Sequence, residues 1–184
     1  MAEDRKELFA GFHLTSFREG DEVALVEHFA DGEVSLRIPA LPHPYTPEAA
    51  RGWVRRREVF VQRHGMEICF AIRDRDGRLL GSVGVDELRI GAEHNGEIGY
   101  WLSRDARGCG LAAAAVRTFV PHAFSRLGLT RLTGRTLDWN LPSIRVMQQN
   151  GFQAEGCLRR FTRTRTGVYD TLLFGLLRPD AIGA

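Results

Sequence analysis

RDARGCGLAAAA, residues 104–115, sets two glycines against a run of strong helix formers, directly after the apolar, strand-like EIGYWL of residues 97–102. Glycine tolerates positive φ and lets a backbone come close to a ligand. The helix that follows opens with amides that have no intrahelical acceptor and with the positive end of its dipole. Strand, glycine turn and helix N-terminus in that order suit an anion, and phosphate suits it best. The strand, helix, strand unit over residues 97–137 also forces two parallel neighbours, because such crossovers are right-handed and cover one face of a sheet. Ligands favour the crevice at the C-terminal end of such a pair, which is where the glycine loop falls.

Working outward, residues 12–17 read as a strand and 21–29 as a helix. IPALPHPYTP, residues 38–47, has four prolines and reads as an irregular loop. It leads into a helix over 47–64 with Thr46 as N-cap, Pro47 at the first helical position and Gly65 as the stop. Strands follow at 67–73 and 79–88, joined by the turn DRDG at 74–77, and at 97–102. After the loop, apolar Leu111, Ala115, Phe119, Ala123 and Leu127 recur every four residues and predict a helix over 110–127, bent at Pro121. A strand at 131–137 and a short helix at 140–150, with Pro142 in its first turn and Gly151 ending it, lead to two final strands. These span 153–162 and 168–177 and meet at Gly167. The expected fold is α/β, a mixed but mostly antiparallel sheet with one parallel pair and helices on both faces. A single domain of residues 1–184, core about 8–178, accommodates it.

With 43% hydrophobic and 26% charged residues, the chain has the composition of an ordinary soluble domain, and no apolar run approaches the roughly 20 residues that span a bilayer. The acidic first residues, MAEDRKELFAGF, lack the apolar core of a signal peptide, so no membrane contact and a cytoplasmic location are expected. A net charge of +2 does not argue for nucleic acid. Only Lys6 is a lysine among the 25 Lys and Arg residues. Cys69, Cys109 and Cys157 are distant and odd in number, so reduced thiols are expected. Neither they nor His43, His64 and His122 have metal-ligand spacing, and no metal is expected.

RGCGLA resembles the Q/R-x-x-G-x-G/A loop of the GNAT acetyltransferase superfamily, with Arg107, Gly110 and Ala112 in the fixed positions. EIGYWL resembles its fourth strand in the branch that includes the ribosomal-protein N-terminal alanine acetyltransferases (RimJ/RimL type). GLTRLTGRTLDWNLPSIRVMQQNGFQAEGCLRR is similar to that branch's N-x-x-S, G-F and E-G-x-L-R pattern. The resemblance covers about residues 8–178. It implies the GNAT fold, with its parallel pair splayed, and acetyl-CoA as cosubstrate without a metal. The pyrophosphate would lie on the amides of Arg107, Gly108, Cys109, Gly110, Leu111 and Ala112, and the pantetheine along the backbone of Trp101, Leu102 and Ser103. The resemblance further places Asn140 beside the pantetheine and the Ser143 hydroxyl near the sulfur. Residue chemistry alone also allows Asn140 to be an N-cap accepting the Ser143 amide, and the two roles are compatible.

Many family members use a glutamate of the fourth strand as general base, which singles out Glu97; an exposed strand-edge carboxylate explains it equally well. Alternation puts Glu97, Gly99 and Trp101 on one face and Ile98, Tyr100 and Leu102 on the other. Two departures stand out. The tyrosine that many members carry four residues before G-F is Met147, which cannot donate a proton and suits core packing. The branch's glutamate seven residues after the E of E-G is Thr162. Glu155 itself is expected to fix local backbone geometry.

The implied reaction is direct attack of a primary amine on the thioester, with Ser143 assisting the thiolate and Cys109 excluded as nucleophile by its place at the pyrophosphate end. A protein N-terminal α-amine is the expected acceptor and a small amine the alternative. From another class, a catalytically silent acetyl-CoA sensor, or an RNA-associated module using Arg159, Arg160, Arg163 and Arg165, competes with the enzyme. Homodimers are common among relatives.

Overall fold

The computed structural model describes residues 5–30, 32–38, 41–89 and 94–179. Eight strands form one sheet: β1 (Lys6–Glu7), β2 (His13–Thr15), β3 (Cys69–Arg73), β4 (Leu79–Val85), β5 (Asn95–Leu102), β6 (Arg131–Leu137), β7 (Gln153–Thr164) and β8 (Gly167–Leu177), in the spatial order β1-β2-β3-β4-β5-β6-β8-β7. The β5 and β6 strands pair in parallel and the other named pairs are antiparallel. The expected α/β class with a mixed sheet is the one observed.

The helices are α1 (Asp21–Ala30), α2 (Gly32–Arg37), α3 (Pro47–His64), α4 (Leu111–Ser125) and α5 (Leu141–Gln149). They cover both sheet faces. Leu111, Ala115, Val116 and Phe119 of α4 and Met147 of α5 pack with Phe70, Ile72, Val83, Ile98 and Leu132 of the sheet. On the other face Leu25 and Phe29 of α1, Val34 of α2 and Ala50 and Val54 of α3 pack on Cys69, Ala71 and Leu79. Met147 is therefore core, and its methyl lies where a side chain at Gly134 would have to go.

The local signals behave as their chemistry dictates. The Thr46 hydroxyl accepts the Ala49 amide at 3.2 Å, Pro47 starts α3, and Gly65 ends it at φ +65° while donating to the Val61 carbonyl. Boundaries move where tertiary bonds intervene. The β4 strand ends at Val85 instead of 88, because the chain turns there, the Leu88 amide bonding the Asp86 carbonyl and Arg89 pairing with Asn95. The α4 helix ends at Ser125 instead of 127, while β7 runs on to Thr164. The short α2 and β1 were not anticipated; residues 39 and 40 of the proline-rich segment lie outside the described ones.

One buried ion pair ties the sheet to the first helix. Arg73 on β3, 1% exposed, donates to both Asp21 carboxylate oxygens at 2.7 and 2.9 Å and to the Thr15 hydroxyl at 2.8 Å.

Candidate active site

The loop between β5 and α4 begins with a turn of 3-10 helix, Arg104–Ala106, and then opens. Gly108 and Gly110 both sit at φ +83°, and a side chain at either would meet nothing within 4 Å. The glycines are there for backbone conformation, and the space above them is free. The first α4 bond outside the helix proper runs from the Ala114 amide to the Gly110 carbonyl at 3.0 Å. The amides of Leu111, Ala112 and Ala113 therefore have no i−4 carbonyl within the helix and face the mouth of the loop with the helix dipole behind them. Cys109 is exposed, its thiol turned to the Ala106 carbonyl at 3.4 Å. The Arg107 guanidinium points away from the loop, to Glu33 of α2 at 2.8 Å and the Leu102 carbonyl at 3.3 Å.

The β5 and β6 strands are paired only from Asn95 to Glu97 and from Arg131 to Thr133, after which they part. The Glu97 carbonyl accepts the Asp86 amide, just past β4, at 2.9 Å, and the Ser103 amide bonds the Leu80 carbonyl of β4 at 2.7 Å. Because peptide groups alternate along a strand, those of Trp101 also face β4, and those of Tyr100 and Leu102 face the gap. Of Trp101, Leu102 and Ser103, Leu102 is thus the one whose peptide groups turn into the gap. Ser103 contributes a buried hydroxyl without a hydrogen-bond partner among the described residues.

Across the gap, Asn140 stands at the N-cap position of α5 without any side-chain bond to that helix, so the cap bond its chemistry allows is not made; at ψ +64° its backbone departs from the extended shape that bond needs. Ser143, in the first turn, meets the Tyr100 hydroxyl at 2.8 Å, and the same hydroxyl lies 3.1 Å from the Ser143 carbonyl. Burial pushes the Tyr100 phenol up to about 12, the Ser143 bond pulling the other way, so it stays protonated at neutral pH.

The other face of β5 meets α1 to α3. Trp101 packs against Phe29 and His28, with ring centroids 4.7 and 5.7 Å away. Through Glu33 the α2 helix touches the glycine loop, and through Arg37, 5.8 Å from the Trp139 ring, it touches the β6–α5 connection. It therefore bridges the two sides of the splay. Trp139 in turn stacks edge-on with Tyr169 of β8 at 5.8 Å. The Glu97 carboxylate is 2.7 Å from Arg135 Nε in a half-open groove that Glu87, Arg131 and Glu155 also line. Glu155 pairs there with Arg131, while the Thr162 hydroxyl bonds that of Thr171 at 2.6 Å. No group of His, Cys, Asp and Glu able to hold a metal occurs among the described residues.

Residues 12–153 match the profile of the acetyltransferase (GNAT) domain. The chain belongs to the GNAT acetyltransferase family. It is 34% identical over 105 residues to the probable N-acetyltransferase YjcK of Bacillus subtilis, a match spanning 57% of this chain and 58% of that one. The structure of the ribosomal-protein-S5-alanine acetyltransferase of Vibrio fischeri superposes with a TM-score of 0.84 at 21% identity, covering 96% of this chain and 97% of that one. Mycobacterium smegmatis RimJ, solved with CoA-disulfide, gives 0.80 at 22% identity over 98% and 88%. These likenesses establish the fold, and family membership makes the chain an acyltransferase.

Sequence reading missed three residues beside the glycine loop and the strand pair. Tyr100 carried a signal, since a tyrosine turned toward the core face needs a partner for its hydroxyl. Glu33 and Asp86 carried none, because their contacts with Arg107 and Arg57 join residues 74 and 29 positions apart.

Proposed function

We propose that this protein transfers the acetyl group of acetyl-CoA to the N-terminal α-amine of a protein. The carrying observation is the open cradle of Gly108, Gly110 and the first amides of α4, standing at the end of a splayed strand pair whose far side presents Ser143. In this reading the backbone of Arg107 to Ala112 receives the pyrophosphate, and Leu102, with Trp101 and Ser103 beside it, receives the pantetheine. Asn140, whose side chain makes no bond to its own helix, turns its amide to the same arm. A backbone N–H facing the gap would stabilise the developing oxyanion.

Ser143 assists the thiolate. Its hydroxyl donates to the departing sulfur at the positive end of α5, and the Tyr100 hydroxyl behind it replenishes the proton. Glu97, held by Arg135, adds negative charge on the acceptor side that draws an ammonium in. An α-amine, with an ordinary pKa of about 8, is neutral far more often at pH 7 than a lysine amine near 10.4, which favours the N-terminus as acceptor. The Vibrio relative, which by its name acetylates a ribosomal-protein alanine, supports the same choice. A cytoplasmic location and a homodimer belong to the proposal.

The test is thiol release from acetyl-CoA with peptides bearing free N-terminal residues, run beside polyamines, amino acids and aminoglycosides. Turnover on peptides is expected. Turnover confined to small amines would move the acceptor to that class, and coenzyme binding without turnover on any amine would favour a sensor.

A further inference from the structure

Asp86 stands just past the end of β4, directly across from Glu97, whose carbonyl accepts its amide at 2.9 Å. Its side chain leans along β5 toward the splay: Oδ2 lies only 2.6 Å from where a side-chain carbon at Gly99 would be. Any other residue at 99 would displace the carboxylate. Gly99 is two positions beyond the last residue of β5 paired with β6, and Trp101 follows on the same face about 7 Å farther along. Asp86 is thus aimed at the acceptor side of the point where the strands part.

Its surroundings differ from those of three carboxylates near the same strand ends. Glu97 is held by Arg135 at 2.7 Å, Glu87 by Arg135 and Arg89 at 3.2 Å each, and Glu155 by Arg131. Asp86 has one cation, Arg57 of α3, at 3.4 Å, and 66% of its side-chain surface is open. Arg57 is itself fixed, stacked 3.6 Å over the Trp53 ring with its Nε buried and unpartnered among the described residues. The remaining titratable neighbours are Cys69 on β3, Glu87 next in the chain and Glu97 opposite. Partial burial of the carboxyl group, whose outer surface stays open, pushes Asp86 above the usual aspartate range; Arg57 pulls it down and Glu87 adds a smaller upward push. A carboxylate of higher basicity, accessible and loosely held, is what a general base requires.

We propose that Asp86 is the general base of the transfer, with Glu97 acting only through its charge. The assignment rests on the acetyltransferase reading above. The neutral amine attacks the thioester carbon and the N–C bond forms. A proton leaves the nitrogen for Asp86 Oδ2, directly or through one water. The C–S bond breaks with its electron pair on sulfur, and the thiolate takes a proton through Ser143 and Tyr100. Asp86 then returns its proton to solvent and the Ser143–Tyr100 pair regains one from solvent, so the products are the amide and free coenzyme A.

The experiment compares Asp86→Asn, Asp86→Glu and Glu97→Gln with wild type, on an alanine-initiated peptide and on whichever small amine turns over. It measures kcat from pH 6.5 to 9.5, acetyl-CoA affinity by calorimetry and melting temperature. Asp86→Asn should lower kcat about 100-fold at pH 7 with unchanged coenzyme affinity, a deficit that narrows as pH rises and solvent takes over the proton. Asp86→Glu should recover part of the loss, and Glu97→Gln should cost less than about 10-fold. A pH-independent deficit that follows melting temperature would make Asp86 structural and overturn the proposal. So would Glu97→Gln losing as much as Asp86→Asn. If wild type turns over small amines but not the peptide, the protein-acceptor reading fails and the same ratios still decide for or against Asp86. Turnover of no amine by wild type would overturn both.

Discussion

In the proposed mechanism the chemistry depends on two single hydroxyls, those of Ser143 and Tyr100. Removing Ser143 Oγ leaves the glycine cradle untouched, so Ser143→Ala should bind acetyl-CoA as wild type does and transfer it on the order of 100-fold more slowly in single-turnover kinetics. Unchanged turnover would remove Ser143 from the mechanism. The phenol of Tyr100 and the thiol of Cys69 are both raised to about 12, the latter by burial, with Arg57 opposing and Asp86 assisting. For such groups the folded state keeps a proton that the unfolded chain gives up near pH 9 for Cys69 and 10 for Tyr100, so their stabilising effect is complete below those values and disappears as pH climbs to about 12. Urea midpoints should therefore fall between pH 9 and 12, and Cys69→Ala should flatten the early part of that fall.

The elements were legible in the sequence where local chemistry governs them. Thr46, Pro47 and Gly65 bound α3 because a cap, a fixed φ and a left-handed residue act within one turn, and the two glycines before α4 act the same way. What lay hidden was long-range. The α2 helix exists beside Arg107 and Trp139, partners far along the chain, and Asn140 stands at the N-cap position, its carbonyl accepting the Ile144 amide, without a side-chain cap because its backbone follows the β6–α5 connection. Ser143 could be named from its pattern, but its Tyr100 partner needed the register of β5 against α5. Arg73 and Asp21 belong to the same hidden class. Their paired burial means that Asp21→Ala would strand a guanidinium in the core, with an expected loss of about 3–5 kcal/mol in urea unfolding. A loss under about 1 kcal/mol would show that Thr15 and nearby carbonyls suffice for Arg73.

At the scale of the whole molecule, the sheet divides labour between its faces. In the proposed mechanism the α4 and α5 side supplies the coenzyme cradle and Ser143, and the α1 to α3 side, on which Trp101 packs, supplies the acceptor side with Asp86 and Glu97. The gap between β5 and β6 is where the two meet. No helix among the described residues is long and apolar enough to cross a membrane. This division makes coenzyme binding separable from acceptor chemistry: a change in the loop should abolish the first while leaving the fold intact. The decisive measurement is calorimetric titration of acetyl-CoA into wild type and Gly110→Glu, with the variant's fold checked by circular dichroism. Gly110 sits at φ +83°, where a side chain strains the backbone, and a carboxylate there would repel the pyrophosphate. The account predicts one site per chain in wild type and none in the folded variant; equal binding by both, or no binding by wild type, would contradict it.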